Sequence, residues 1–73
     1  MFKEILTDVF PIIQKSAPSI ASAIASPVAQ AVSIWAINLL AHAFGLDPAN
    51  IGKLNQAILD DPDADSKIGY LES

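Results

Sequence analysis

An acidic segment near the C-terminus, DDPDADSKIGYLE, holds the side chains best suited to chemistry. Asp61, Asp63, Asp65 and Glu72 stand at positions 1, 3, 5 and 12 of a calcium-loop template, a spacing that can gather oxygen ligands around one hard cation. Position 6 is Ser66, where that template requires glycine for a sharp turn. The alternative is an ordinary helix start, with Asp61 as its cap and the following proline in its first turn. We prefer the helix start and predict neither a metal site nor a cofactor.

The second candidate for chemistry is His42, the single histidine of a sequence that has no cysteine. Transition metals favour imidazole and thiolate ligands, so such a site would need carboxylates alone or several chains. A Ser-His-Asp arrangement is compatible with the composition, but no nucleophile-elbow motif accompanies it and His42 lies in an apolar segment. The sequence therefore predicts a protein without enzymatic activity, in which His42 is hydrogen-bonded near a helix end.

Length and composition limit the class of protein. The chain has 73 residues, of which 52% are hydrophobic and 16% charged, and its net charge is -4. At this length a hydrophobic core is only marginally stable and usually needs a disulfide, a metal, an oligomer or a membrane. The acidic balance argues against nucleic acid, which requires a basic surface. We therefore predict a homo-oligomer, a component of a larger assembly, or a membrane-associated protein.

One uncharged run organises the chain. No Asp, Glu, Lys or Arg occurs from Ser16 to Leu46. A helix that is apolar nearly all round lies either in the centre of a bundle or in a membrane. The sequence therefore predicts one domain, residues 1–73, with an amphipathic leader helix (1–15), an apolar central helix (16–46) and an acidic helical tail (47–73).

At two predicted helix starts, a serine stands one or two residues before a proline. Ser16 can cap a short helix from Pro18 to Ala25, and Ser26 can cap a longer one from Pro27 to Phe44. Gly45 then stands where helices end in the left-handed conformation.

Asp47-Pro48 and Asp61-Pro62 predict two further starts, and Pro11 should kink or break the leader. The predicted fold is an all-α bundle of about four helices around one long apolar helix, with helices at about 2–14, 17–44 (broken near Pro27), 47–59 and 61–72.

The uncharged run raises a question about membranes. It exceeds the roughly 20 apolar residues that a spanning helix needs, but Pro27, Gln30, Asn38 and His42 are unfavourable in hydrocarbon unless they find partners. A protein core or an oligomer could bury the same helix. Both alternatives predict that the isolated chain is not a soluble monomer.

Two sets of residues are candidates for helix contacts. Small side chains let a second backbone approach closely, while Val32, Trp35 and Leu39 share one apolar stripe. Trp35, Asn38 and His42 lie along one face and could form a polar seam that fixes helix pairing. The predicted helix-packing and partner residues are Ala21, Ala25, Ala29, Val32, Trp35, Asn38, Leu39 and His42.

Four stretches of the sequence form a pattern in this order: Ala17-Pro18-Ser19-Ile20-Ala21-Ser22-Ala23-Ile24, then Pro27, then DPANIGKLNQAIL, then DDPDADSKIGYLE. This pattern resembles the N-terminal part of small phage and prophage holins of the three-transmembrane type. Ala25-Ser26 replaces the glycine pair usual in that family. The resemblance implies a non-enzymatic, phage-type membrane-associated protein that self-associates through its apolar helix. The alternative is a soluble or virion-bound structural protein whose apolar helix docks on a larger assembly. No signal peptide is recognisable, so we expect synthesis in the cytoplasm and then residence there, in the inner membrane or in a virion.

Overall fold

The computed structural model describes residues 6–26 and 30–73. Within these ranges the chain forms five helices and no strand, which confirms the all-α prediction. The Cα radius of gyration is 10.7 Å, close to the value expected for a folded domain of this length. The helices are α1 (Phe10–Ser16), α2 (Pro18–Ala25), α3 (Gln30–Ala43), α4 (Ile51–Asp60) and α5 (Ala64–Glu72).

The start of α1 is set by Pro11. Turns at residues 6–9 precede the helix, and the Phe10 amide donates to the Leu6 carbonyl over 2.8 Å. Pro11 occupies the first turn of α1, where a missing backbone N–H costs nothing. In the described part of the leader, proline therefore begins a helix instead of kinking one; residues 1–5 of the predicted leader helix lie outside the described residues.

The uncharged run is divided into α2 and α3. The predicted bounds of the short helix match α2 at both ends. Helix α3 ends at Ala43, one residue before its predicted end, and its predicted start at Pro27 lies outside the described residues.

The end of α3 confirms the role predicted for Gly45. Its φ is +67°, and its amide donates to the His42 carbonyl over 3.1 Å. The Leu46 amide donates to the Ala41 carbonyl over 2.8 Å. These paired bonds form a Schellman motif, which satisfies the last carbonyls of the helix.

Both later helices begin further along the chain than predicted. Asp47 accepts a hydrogen bond from the Ala49 amide (2.9 Å), and Asp61 accepts one from the Asp63 amide (2.8 Å). Each aspartate thus caps an Asx turn, and regular helix follows at Ile51 and Ala64. The predicted starts at 47 and 61 were too early because Asp-Pro can open either a turn or a helix.

All five helices contribute side chains to the core, and no single helix lies at its centre. Helix α3 buries only one face, and its other face is exposed to solvent. The prediction of a bundle around one long apolar helix is therefore not confirmed; the break splits the run into two helices that each bury one side. The core comprises Leu6, Val9, Ile13, Ala17, Ile20, Ala21, Ala23, Ile24, Ala36, Ile37, Leu40, Leu54, Ile58, Ala64 and Ile68.

A long-range hydrogen-bonded contact joins the end of α5 to the start of α2. The Glu72 carboxylate accepts bonds from the Ser19 amide (3.1 Å) and the Ser19 hydroxyl (2.7 Å). An acidic group at a helix N-terminus satisfies a free amide and complements the helix dipole. Glu72 thus supplies the cap that was predicted for Ser16.

Ser33 joins α3 to the last turn of α2. It is 3% exposed, and its hydroxyl donates to the Ala23 carbonyl over 2.8 Å. The last carbonyls of a helix lack partners within the helix. This bond therefore gives a partner to two buried polar groups, the Ser33 hydroxyl and the Ala23 carbonyl.

We predict that Ser33→Ala lowers the free energy of unfolding by about 1–2 kcal/mol, because the Ala23 carbonyl loses the hydrogen bond from the Ser33 hydroxyl. Urea denaturation measures the change. Ser22→Ala on the exposed side of α2 is the control, since it makes the same change in helix propensity. Equal stability of the two variants would show that the Ser33 bond contributes nothing.

Candidate functional site

Five of the predicted partner residues lie together on the outward face of α3, defined here as Val32, Trp35, Asn38, Leu39 and His42. Their spacing of three and four residues places them along one side of the helix. Trp35 is 52% exposed and Val32 41%; Asn38 and His42 are also exposed, and Leu39 is half-buried. This face is therefore a stripe of apolar surface with two polar side chains in it.

Ile34 extends the apolar surface on the flank of the same helix. It is 45% exposed and was not among the predicted partner residues. Ile34 lies one turn before Asn38, at the edge of the outward face.

The small residues predicted to contact a partner do not join this face. Ala21 belongs to the core, while Ala25 is exposed at the end of α2. Both line a groove of about 230 Å³ between α1 and α2. Ala29 lies outside the described residues. The two sets of predicted residues therefore belong to different surfaces.

A cleft between α3 and α5 adjoins the outward face. Its volume is about 430 Å³, and the surface that lines it is mainly apolar. Leu39 and His42 belong both to this cleft and to the outward face, so the two surfaces are continuous. Tyr70 at the cleft is 81% exposed. The lining residues of this α3–α5 cleft are Leu39, His42, Ala43, Ser66, Lys67, Tyr70 and Leu71.

The charge in the cleft is compensated locally. The Lys67 ammonium forms an ion pair with the Asp61 carboxylate and lies 5.4 Å from the centroid of the Phe44 ring. The hydrogen bond from Lys67 lowers the pKa of Asp61, and the hydrogen bond from the Asp63 amide lowers it further. The cleft thus presents an apolar surface beside a paired cation.

The acids of the calcium-loop template are not gathered around one point. Asp61 is bonded to the Asp63 amide and to Lys67, and Glu72 is bonded to Ser19. Asp65 and Glu72 are seven residues apart on α5, which separates them by about 10 Å along the axis. Over residues 6–26 and 30–73, no three His, Asp or Glu side chains form a group that could hold a metal ion.

His42 lies in the last turn of α3, as expected, but its side chain is exposed. It stands beside apolar side chains on the outward face, one helical turn from Asn38. Together the two residues supply the polar groups of this face. The outward face is therefore apolar except for these two polar side chains.

Comparison with protein-family models found no match, and neither the curated proteins nor the solved structures include one that is significantly similar. In the described part of the chain, no helix combines the length and hydropathy that crossing a bilayer requires.

We predict that Lys67→Met raises the pKa of Asp61 toward its ordinary value, because the variant removes the main interaction that lowers it. The lowered pKa stabilises the folded chain at pH values above the unfolded pKa of about 4. That contribution is lost as the pH falls through the folded pKa. In Lys67→Met the Asp61 carboxyl should therefore become protonated at higher pH. Lys53→Met is the matched control on α4, and carboxyl NMR titration measures both; identical Asp61 titrations would contradict the prediction.

Proposed function

We propose that this chain is a non-enzymatic helical protein that self-associates through the outward face of α3. The exposure of Trp35 together with Val32 on one short helix is the observation that carries the proposal. Single exposed apolar residues are ordinary, but contiguous exposed apolar surface is typical of interaction sites.

The composition of the face supports an interface. Tryptophan is enriched among the residues that dominate binding energy, since it buries a large apolar area at a small cost in side-chain entropy. Val32 and Leu39 lie beside Trp35 and would exclude water around it. Asn38 and His42 would discriminate between registers, because a misaligned pair would leave their polar atoms buried without partners.

The charge distribution favours a second copy as the partner. All the charged residues of a chain with net charge -4 lie outside residues 16–46. Two copies can therefore approach through α3 without apposing like charges, whereas contacts through the acidic segment 60–65 at the junction of α4 and α5 would bring carboxylates together. Association would also add buried apolar area to a domain whose own core is small.

The resemblance to phage and prophage holins supports a membrane-associated setting for this assembly. The exposed Trp35 and its apolar neighbours are of the type that seats a helix in the bilayer interface. The alternative is that the same face docks on a larger phage or cellular assembly. Flotation with phospholipid vesicles distinguishes the membrane setting from docking on an assembly. Co-flotation of the chain with the vesicles supports the membrane setting. A chain that does not float with vesicles but forms a stoichiometric complex with another protein supports the alternative.

We predict that Trp35→Ala weakens self-association at least tenfold, since loss of a central aromatic anchor typically costs 2 kcal/mol or more. Sedimentation equilibrium measures the dissociation constant, and circular dichroism should show unchanged helix content because Trp35 lies outside the core. Leu59→Ala removes a similarly exposed side chain from α4 and should leave association unchanged. A wild-type chain that is monomeric at every concentration, or equal effects of the two variants, would contradict the proposal.

A further inference from the structure

We infer that Trp35 of one copy inserts into the α3–α5 cleft of a second copy, in an antiparallel pair of α3 helices related by a two-fold axis. This inference rests on the proposed self-association and specifies its geometry. The elements that support it are the register of the outward face, the fit of the cleft and the distribution of charge.

The register follows from the symmetry of a two-fold interface. In such an interface, if residue i of one copy contacts residue j of the other, then j also contacts i. The exposed stripe runs from Val32 to His42, so its midpoint lies at the level of Ile37. An axis at this point places Trp35 opposite Leu39 of the other copy, because both lie about 3 Å along the helix from it. Since Leu39 lines the cleft, the same operation brings Trp35 to its mouth.

The cleft has the size and chemistry that an indole ring requires. Its volume of about 430 Å³ falls in the range of sites that enclose small organic groups. Leu39, Ala43 and Leu71 supply apolar walls, and the hydroxyl groups of Ser66 and Tyr70 can accept the indole N–H.

Charge favours a neutral aromatic group over an ionic ligand as the occupant. Lys67 is the charged residue of the cleft, and its ammonium is already paired with Asp61. An anion would have to compete with that carboxylate on a chain of net charge -4. An indole needs no counter-charge and gains from a nearby cation through its ring electrons.

The area needed for a stable dimer also favours use of the cleft. A standard interface buries about 800 Å² per partner, nearly a fifth of the 4409 Å² that this chain exposes. One helical stripe is a narrow surface for that purpose. Insertion of Trp35 brings α5 into the contact, so that the interface has two elements from each copy.

A complementation experiment tests the arrangement. In Trp35→Ala the anchor is lost and the cleft is intact; in Tyr70→Ala the anchor is intact and a cleft wall is lost. Both side chains are largely outside the core, so both variants should fold. Each alone should associate at least tenfold more weakly than wild type. An equimolar mixture should associate several-fold more tightly than either, because the mixed dimer contains one complete pair of anchor and cleft.

Three results would overturn the inference. Association of Tyr70→Ala at wild-type strength would exclude the cleft from the interface. A mixture that behaves as the average of the two variants would show that Trp35 and the cleft do not meet between copies. In both cases the proposed self-association would stand. A wild-type chain that is always monomeric would contradict the proposed self-association as well. Leu59→Ala is the control and should match wild type.

Discussion

Helix α3 is apolar on nearly every side, but the other described helices cover one side of it only, and the rest of the structure depends on this one-sided burial. Helix α3 packs Ala36, Ile37 and Leu40 against the other helices, which uses the apolar surface that they offer. The remaining side of α3 still carries tryptophan and valine. In the described part of the chain, the apolar helix therefore has one buried side and one exposed apolar side.

The packing around α3 is fixed by a few polar contacts between residues distant in sequence. Ser33 ties α3 to the end of α2, and Glu72 ties α5 to the start of α2. Since α5 also forms one wall of the cleft, the Ser19–Glu72 contact helps to set its position relative to α3. The same contacts that complete the core thereby shape the surface next to Trp35.

The sequence was sufficient wherever local rules decide the structure. Pro18, Ala25 and Gly45 mark boundaries that depend on neighbouring residues alone, and these predictions are confirmed. Asp47 and Asp61 were assigned to helix starts because an Asx turn and a helix cap share one sequence signal. The helical period placed Val32, Trp35 and Leu39 along one stripe, but it did not predict that this stripe is exposed, because exposure depends on where the other helices pack. Ser33–Ala23, Ser19–Glu72 and the α3–α5 cleft could not be predicted, because each depends on how separate helices pack.

We propose that the outward face of α3 is buried between copies of the chain. Trp35 is the single tryptophan, so intrinsic fluorescence reports on this face without labels. A dilution series followed by its emission maximum, with sedimentation at the same concentrations, tests the claim most directly. We expect emission at shorter wavelength in the oligomer and a shift to longer wavelength as the oligomer dissociates. An emission maximum typical of solvent-exposed tryptophan that does not change while the oligomer dissociates would contradict the proposal.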